Sequence, residues 1–429
     1  MMTAEIGIIS RTGVALATDS AVSISLGDNN IQKIFNSADK LFSLSKYQPV
    51  GIMVYGSATL MGIPWETLIK VYRAELGRKL YPKLEDYCTS FLKFIKAQSF
   101  RFTKKDQTAL IKEKTAWFYQ EYIVDKITET VKEVIETKGE IGTRRTRSIA
   151  KATVNIHYNK CKRLEFVEDF NDQFIESYIL NNRVEIQQII GSVFKETVKD
   201  KPTFEKLIYI SACLFCKEDF VQERTGIVIA GFGEKEILPE IRTYYIECLI
   251  ENKLVFALNQ GKSEKCERNT VAVIPFAQDE VVKTFIEGIE PSLFRVMQES
   301  FEEILEEFPK LIAQHIEPAL KTKQKEIAKL RDMLLDAYYE SIADTIRNEH
   351  IFPVLRTVGV LPKEELAAMA ETLVNLTSFK RRVTTDSETV GGPVDVAVIT
   401  KGDGFIWMKR KHYFKPELNH HFFANYYDE

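Results

Sequence analysis

Thr3 opens the segment Thr3-Ala4-Glu5-Ile6-Gly7-Ile8-Ile9, and a second alternating segment ends in Ala17-Thr18-Asp19-Ser20. A threonine at a free N-terminus carries its own general base, because its α-amine, titrating near ~7.7 to 8.0, lies beside the hydroxyl. One residue then supplies both nucleophile and base. Such a nucleophile needs a fixed carboxylate and a cation nearby to orient it and hold its pKa down, and Asp19 and Lys40 are the candidates. The condition is exposure of the Thr3 amine. Methionine removal requires a small second residue, so Met1-Met2 resists it, whereas Met2-Thr3 is processed if translation begins at Met2. Self-cleavage by the unprocessed Thr3 is the other route.

The elements that must hold these residues are short strands. Alternation and β-branched content predict strands over Glu5 to Ser10, Val14 to Asp19, Ala21 to Leu26, Lys40 to Leu44 and Val50 to Tyr55. A helix is predicted over Ser57 to Arg78, from the helical spacing of Leu60, Trp65, Leu68, Ile69 and Tyr72, and a second from about Lys83 to Ala97.

Four blocks carry a resemblance: Gly7-Ile8-Ile9; Gly13-Val14-Ala15-Leu16-Ala17-Thr18-Asp19-Ser20; Asp39-Lys40-Leu41-Phe42-Ser43-Leu44; and Gly51-Ile52-Met53-Val54-Tyr55-Gly56-Ser57-Ala58. In order and nature they resemble the proteasome β-subunit and HslV family of N-terminal-nucleophile (Ntn) hydrolases. The separation of Thr3 and Asp19 equals that of the family's nucleophile and aspartate. The resemblance implies an α+β fold, a four-layer αββα sandwich, and a threonine peptidase or amidase. In it Thr3 attacks an amide carbonyl, Lys40 lowers the nucleophile's pKa, Asp19 orients Lys40, and the backbone N–H of Gly56 holds the oxyanion. Lys33 rivals Lys40, since Lys33-Ile34-Phe35 also reads as a lysine before a strand, and Tyr55 replaces Gly56 if the alignment slips by one. No cofactor or metal is called for.

Where the family places a Gly-Ser-Gly motif, whose serine helps hold the catalytic amine, Phe276 and Ala277 stand instead. The family's closing Asp-x-x-Ser-Gly-Gly motif is also altered: Ser387 and Val390 fall at its aspartate and serine, with Asp386 one residue away. These departures keep two other functions in play, a non-catalytic proteasome-like subunit or interaction scaffold and a small-molecule Ntn amidase.

The family pattern occupies about half the chain, which divides into 1–99 (first part of the core), 100–201 (helical insertion), 202–290 (second part of the core), 291–360 (helical hairpin or arm) and 361–429 (closing helix and hairpin). In the insertion Phe118, Tyr122, Ile123, Ile127, Val131, Val134 and Ile135 recur at helical spacing. Its run Arg144-Arg145-Thr146-Arg147 reads as a solvated loop or helix face. Strands return at Gly226 to Gly233, over Arg242 to Leu258 and from Val271, the last leading into a helix. Gly231-Phe232-Gly233 lacks the third glycine of a dinucleotide fingerprint and reads as a turn. The arm is predicted to break at Pro309 or Pro318. A helix from Leu361-Pro362 to about Leu376 follows, and Val390 to Ile399 with Asp403-Gly404-Phe405 resembles the family's closing hairpin.

A length of 429 residues with 45% hydrophobic and 28% charged content is that of a globular protein with a sizeable core. A formal net charge of −3 gives no electrostatic drive toward nucleic acid or anionic lipid. The start of the chain lacks a secretory pattern and no apolar run approaches a membrane span, so a cytoplasmic protein is expected. Six cysteines in so long a chain read as buried thiols, Cys213 and Cys216 included, and His420-His421 as tail residues. Expected partners are a peptide or protein substrate and further copies of the chain, with an ATPase or regulatory partner as an option.

Overall fold

The computed structural model describes residues 3–26, 31–195, 197–218, 225–267, 270–318, 322–384, 391–412 and 414–427. The chain begins with an antiparallel hairpin, β1 (Glu5–Ser10) and β2 (Gly13–Thr18), buried at every position. β3 (Val22–Leu26) and β4 (Ile31–Phe35) pair separately as a ribbon. β5 (Leu41–Ser43) and β6 (Val50–Tyr55) follow, then a small hairpin of β7 (Thr59–Leu60) and β8 (Ile63–Pro64) before α1 (Trp65–Leu76) and α2 (Leu84–Ala97). The predicted helix from Ser57 therefore starts only at Trp65. Met61 and Gly62 take positive φ to turn the hairpin, and Pro64, ready-made for the position just before a helix, starts the first turn.

Helices α3 (Lys104–Phe118), α4 (Asp125–Lys138), α5 (Thr143–Arg163), α6 (Asp172–Phe194) and α7 (Lys201–Cys216) then share one core that includes Phe118, Ile123, Val154, Tyr178, Ile190 and Phe215. This helical packing continues past residue 201 to Cys216. The arginine run lies at the start of α5, with Arg144, Arg145 and Arg147 exposed.

The remaining strands are β9 (Thr225–Gly231), β10 (Glu240–Ile250), β11 (Lys253–Leu258), β12 (Glu264–Lys265) and β13 (Ala272–Ala277), and β13 leads into α8 (Asp279–Glu287). The arm consists of α9 (Pro291–His315) and α10 (Gln324–Thr345). Of the two prolines, Pro309 does not break it: α9 runs through that proline to His315, and the break before α10 falls around Pro318. On an arm this open, water can serve the Leu305 carbonyl that Pro309 cannot reach with an N–H. α11 (Phe352–Val358) precedes α12 (Lys363–Val383), which extends a further two turns beyond the expected Leu376. β14 (Asp395–Thr400) and β15 (Gly404–Lys409) form the closing hairpin, and α13 (His420–Tyr427) ends the described chain.

The strands build two large antiparallel sheets, one in the order β13-β1-β2-β14-β15 and one in the order β11-β10-β9-β6-β5, with β12 added beside β10. Alternation sorts their side chains between two surroundings. From the first sheet, Ile6, Ile8, Ala15, Ala17 and Val396 pack with Leu366, Ala370 and Leu373 of α12. Ile9, Val14, Leu16 and Ile399 pack instead with Met53, Val228 and Ala230 of the second sheet. The other face of that sheet, through Ile52, Ile229 and Leu254, packs with Leu68 and Ile69 of α1 and Phe91 of α2. Both faces of each sheet are thus covered, which explains why strands such as β1 and β2 are almost wholly apolar.

Candidate active site

Residues 3, 5, 7 and 9 have the same parity along β1, and Ile9 faces the second sheet, so Thr3 and Glu5 lie on the side between the sheets. Both are buried, as are Asp19 and Lys40. Asp19 follows the last residue of β2, and its N–H donates to the Ala4 carbonyl at 3.1 Å, which sets it beside the start of β1. Lys40 immediately precedes β5 on the second sheet, and its carbonyl accepts from Val54 N–H at 2.8 Å. The two sheets therefore bring an acid from one and a base from the other to a single buried point.

Lys40 Nζ lies 2.6 Å from Asp19 Oδ1 and 3.3 Å from Glu5 Oε1. Asp19 is held from further sides: Ala4 N–H donates to Oδ1 at 3.3 Å and Gly391 N–H to Oδ2 at 3.0 Å. The second of these ties the aspartate to the segment before β14, which Ser20 N–H also reaches through the Gly391 carbonyl at 3.2 Å. Lys411 bridges Asp395 of β14 and, at 3.1 Å, Asp39, fixing the backbone that delivers Lys40. The Thr3 hydroxyl donates to Glu5 Oε2 at 2.7 Å. Glu5 thus connects Thr3 to Lys40, one carboxylate oxygen on each.

Glu5 is the site residue that sequence reasoning missed. As the first residue of a predicted strand it was given no role in the chemistry; the signal was its position two residues from Thr3, which puts both on one face. Burial pushes its carboxyl up, Lys40 pulls it down, Asp19 pushes it up again, and the hydrogen bonds from Thr3 and Lys40 lower it, leaving it at about 7. Burial thus leaves this carboxyl easier to protonate than an ordinary glutamate.

Gly56 closes β6 with φ +81°, the left-handed region that glycine enters without strain. It lies two residues from Val54, the partner of Lys40 across the β5–β6 pair. Tyr55 beside it packs against Tyr245 and Phe276, with ring centroids 6.5 and 5.8 Å apart. Lys33 lies inside β4, its backbone paired with Ile24 on the separate ribbon rather than preceding a strand of either large sheet. Phe276 is a fully buried core side chain between the sheets; Lys262 Nζ donates to its carbonyl at 2.6 Å. Asp386, Ser387 and Val390 lie outside the described residues, as do Met1 and Met2.

Other candidate motifs resolve as packing. All six cysteines are free and buried. Phe232 lies in the core between the sheets and Gly233 N–H donates to Glu236 in the following turn. His420 and His421 start α13, and among the described residues no group of three or more His, Cys, Asp or Glu side chains is placed to hold a metal ion. Nor, among those residues, is any helix long and apolar enough to cross a membrane. No protein-family model matches the chain, and no curated protein matches it.

Proposed function

We propose that this chain is a proteasome-like Ntn hydrolase that cleaves amide bonds with Thr3 as nucleophile. The observation that carries the reading is the buried Lys40–Asp19 pair at 2.6 Å, assembled from two different sheets and linked to the Thr3 hydroxyl through Glu5. A fixed cation with its own carboxylate at a threonine hydroxyl is what such a nucleophile needs, and neither charge is required for packing alone. The succession of α1 and α2, the second sheet, the first sheet and α12 supports a four-layer αββα sandwich as the frame.

In this mechanism the chain begins at Thr3 after the bond before it is broken. Thr3 Oγ attacks the substrate carbonyl, its proton passes to a base at the site, and the C–N bond breaks as that proton reaches the leaving amine. Lys40 stabilises the developing negative charge on Oγ, Asp19 holds Lys40, and Gly56 N–H serves the oxyanion. Water then hydrolyses the acyl ester on Thr3.

N-terminal sequencing and intact mass of purified protein test the first requirement, and a peptide epoxyketone the second. A chain starting at Thr3 and labelled there is expected. Retention of the preceding residues without any adduct overturns the enzyme reading and favours an interaction scaffold. With labelled protein, turnover of fluorogenic peptides against turnover of small amides separates peptidase from small-molecule amidase.

A further inference from the structure

Lys40 already has a carboxylate partner. Asp19 contacts it at 2.6 Å and is itself satisfied by the Ala4 and Gly391 N–H groups, so the lysine needs no second acid for charge balance. Glu5 is nonetheless placed there, wholly buried, with Oε1 3.3 Å from Lys40 and Oε2 accepting the Thr3 hydroxyl at 2.7 Å. Burying an extra carboxylate is costly, and two acids around one lysine leave the cluster one negative charge in excess when all are ionised.

We propose that Glu5 is a catalytic residue, the general base that takes the Thr3 Oγ proton and returns it to the leaving nitrogen. This rests on Thr3 being the nucleophile. The hydroxyl proton moves from Oγ to Glu5 Oε2 as Oγ bonds to the carbonyl carbon; as the tetrahedral intermediate collapses and the C–N bond breaks, the proton passes from Glu5 to nitrogen. Glu5 ends the step ionised again, and water repeats the cycle on the ester. The contact lies within the reach a general base requires.

Glu5 pairs with Ala277 across the β1–β13 boundary, at the place where Phe276 and Ala277 stand for the family's serine. A carboxylate on the hydroxyl takes its proton without routing it through the α-amine of Thr3. The groups around Glu5 fit proton exchange near neutrality. Lys40 and Asp19 face it from the ends of β5 and β2, Tyr55 from β6, and Lys262 from the turn before β12; the charge of Glu5 is felt by both Tyr55 and Lys262. Burial chiefly, opposed by Lys40 and helped by Asp19, leaves its carboxyl at about 7.

The test is acylation of Thr3 by a β-lactone, which reacts at the hydroxyl, followed by peptide mass mapping from pH 5.5 to 9.5. In the parent the rate is expected to rise and level off near pH 7. Glu5→Gln is expected to slow it by about 100-fold at pH 8 and to remove that break, with Glu5→Asp recovering part of the rate. A folded Glu5→Gln protein with the parent's rate and profile overturns the proposal. Should Glu5→Gln not fold, Glu5→Asp decides: its shorter side chain draws the carboxylate back from the hydroxyl, and a folded Glu5→Asp protein with the parent's rate and profile overturns the proposal. No Thr3 adduct in the parent at any pH overturns the hydrolase reading, and the base with it.

Discussion

Lys40 Nζ and Asp19 Oδ1 are 2.6 Å apart, both buried, and they come from opposite sheets. The pair is therefore a cross-sheet tie as well as a chemical device. Lys40→Ala leaves two buried carboxylates, Asp19 and Glu5, without their cation. Removing one partner of a buried pair costs about 3–5 kcal/mol, so urea unfolding is expected to show a loss of that order. Asp19→Asn keeps the shape and one oxygen to accept from Ala4 N–H and Lys40, but sets an NH2 against the Gly391 N–H; with the cation still facing Glu5 it is expected to cost less stability than Lys40→Ala while still abolishing Thr3 acylation. Equal losses for the two variants would assign the pair to folding alone.

The second prediction concerns pH. Burial disfavours the charge of Glu5 and raises its carboxyl from the ordinary 4.5 to about 7 in the folded chain. Below pH 4.5 folded and unfolded chains both hold the proton, and the contribution of Glu5 to stability is fully present. As pH rises toward 7 the unfolded chain releases the proton more readily, so stability falls, and above 7 the loss is complete. Its size is on the order of 3 kcal/mol. The difference in unfolding free energy between parent and Glu5→Gln, measured at pH 5 and pH 8, isolates this contribution; a difference that does not change with pH shows that Glu5 is ionised in the folded chain throughout.

The places where sequence pattern sufficed and where it did not have physical reasons. Thr3, Asp19 and Lys40 were legible because strand ends are marked by a change from apolar alternation to polar residues, and the site is built at strand ends. Glu5 was not, because a charge at the start of a strand shows no role until its neighbours across space, Lys40 above all, are known. The helix from Ser57 failed because Leu60 fits a helical period by chance while Met61-Gly62 turns the chain. Pro309 was read by a rule for packed helices, and α9 is mostly solvent-exposed. The closing hairpin, by contrast, was readable from Asp403-Gly404 between two β-rich runs.

Gly226 provides a third prediction. It pairs with Tyr55 of β6 on one side and Tyr245 of β10 on the other. A Cβ added there would sit 1.9 Å from the Tyr55 ring, so Gly226→Ala must displace that ring and, with it, the turn carrying Gly56. Overpacking of this kind costs about 1–3 kcal/mol. The expected signature is a lowered Tm together with slower Thr3 acylation. A normal rate in a destabilised Gly226→Ala protein would remove Gly56 from the reaction.

The arm supplies the last prediction. Phe301 of α9 packs on Tyr338 of α10, ring centroids 4.0 Å apart, so the two helices already use one face against each other. Ile304, Phe308 and Leu311 lie on α9 at spacings of four and three, one helical stripe, and are 60, 59 and 50% exposed. Single exposed apolar side chains are ordinary; a stripe three deep on a helix whose one buried residue is Ala313 is where contact with another chain is expected if the protein self-associates. The homo-oligomer implied by the resemblance would use this stripe. Replacing all three with serine is expected to leave Tm nearly unchanged, because each side chain contributes little to the folded monomer, and to shift sedimentation toward the monomer. If the variant sediments like the parent across a hundredfold range of concentration, self-association does not run through the arm; if Tm falls by several degrees, the stripe packs on its own chain.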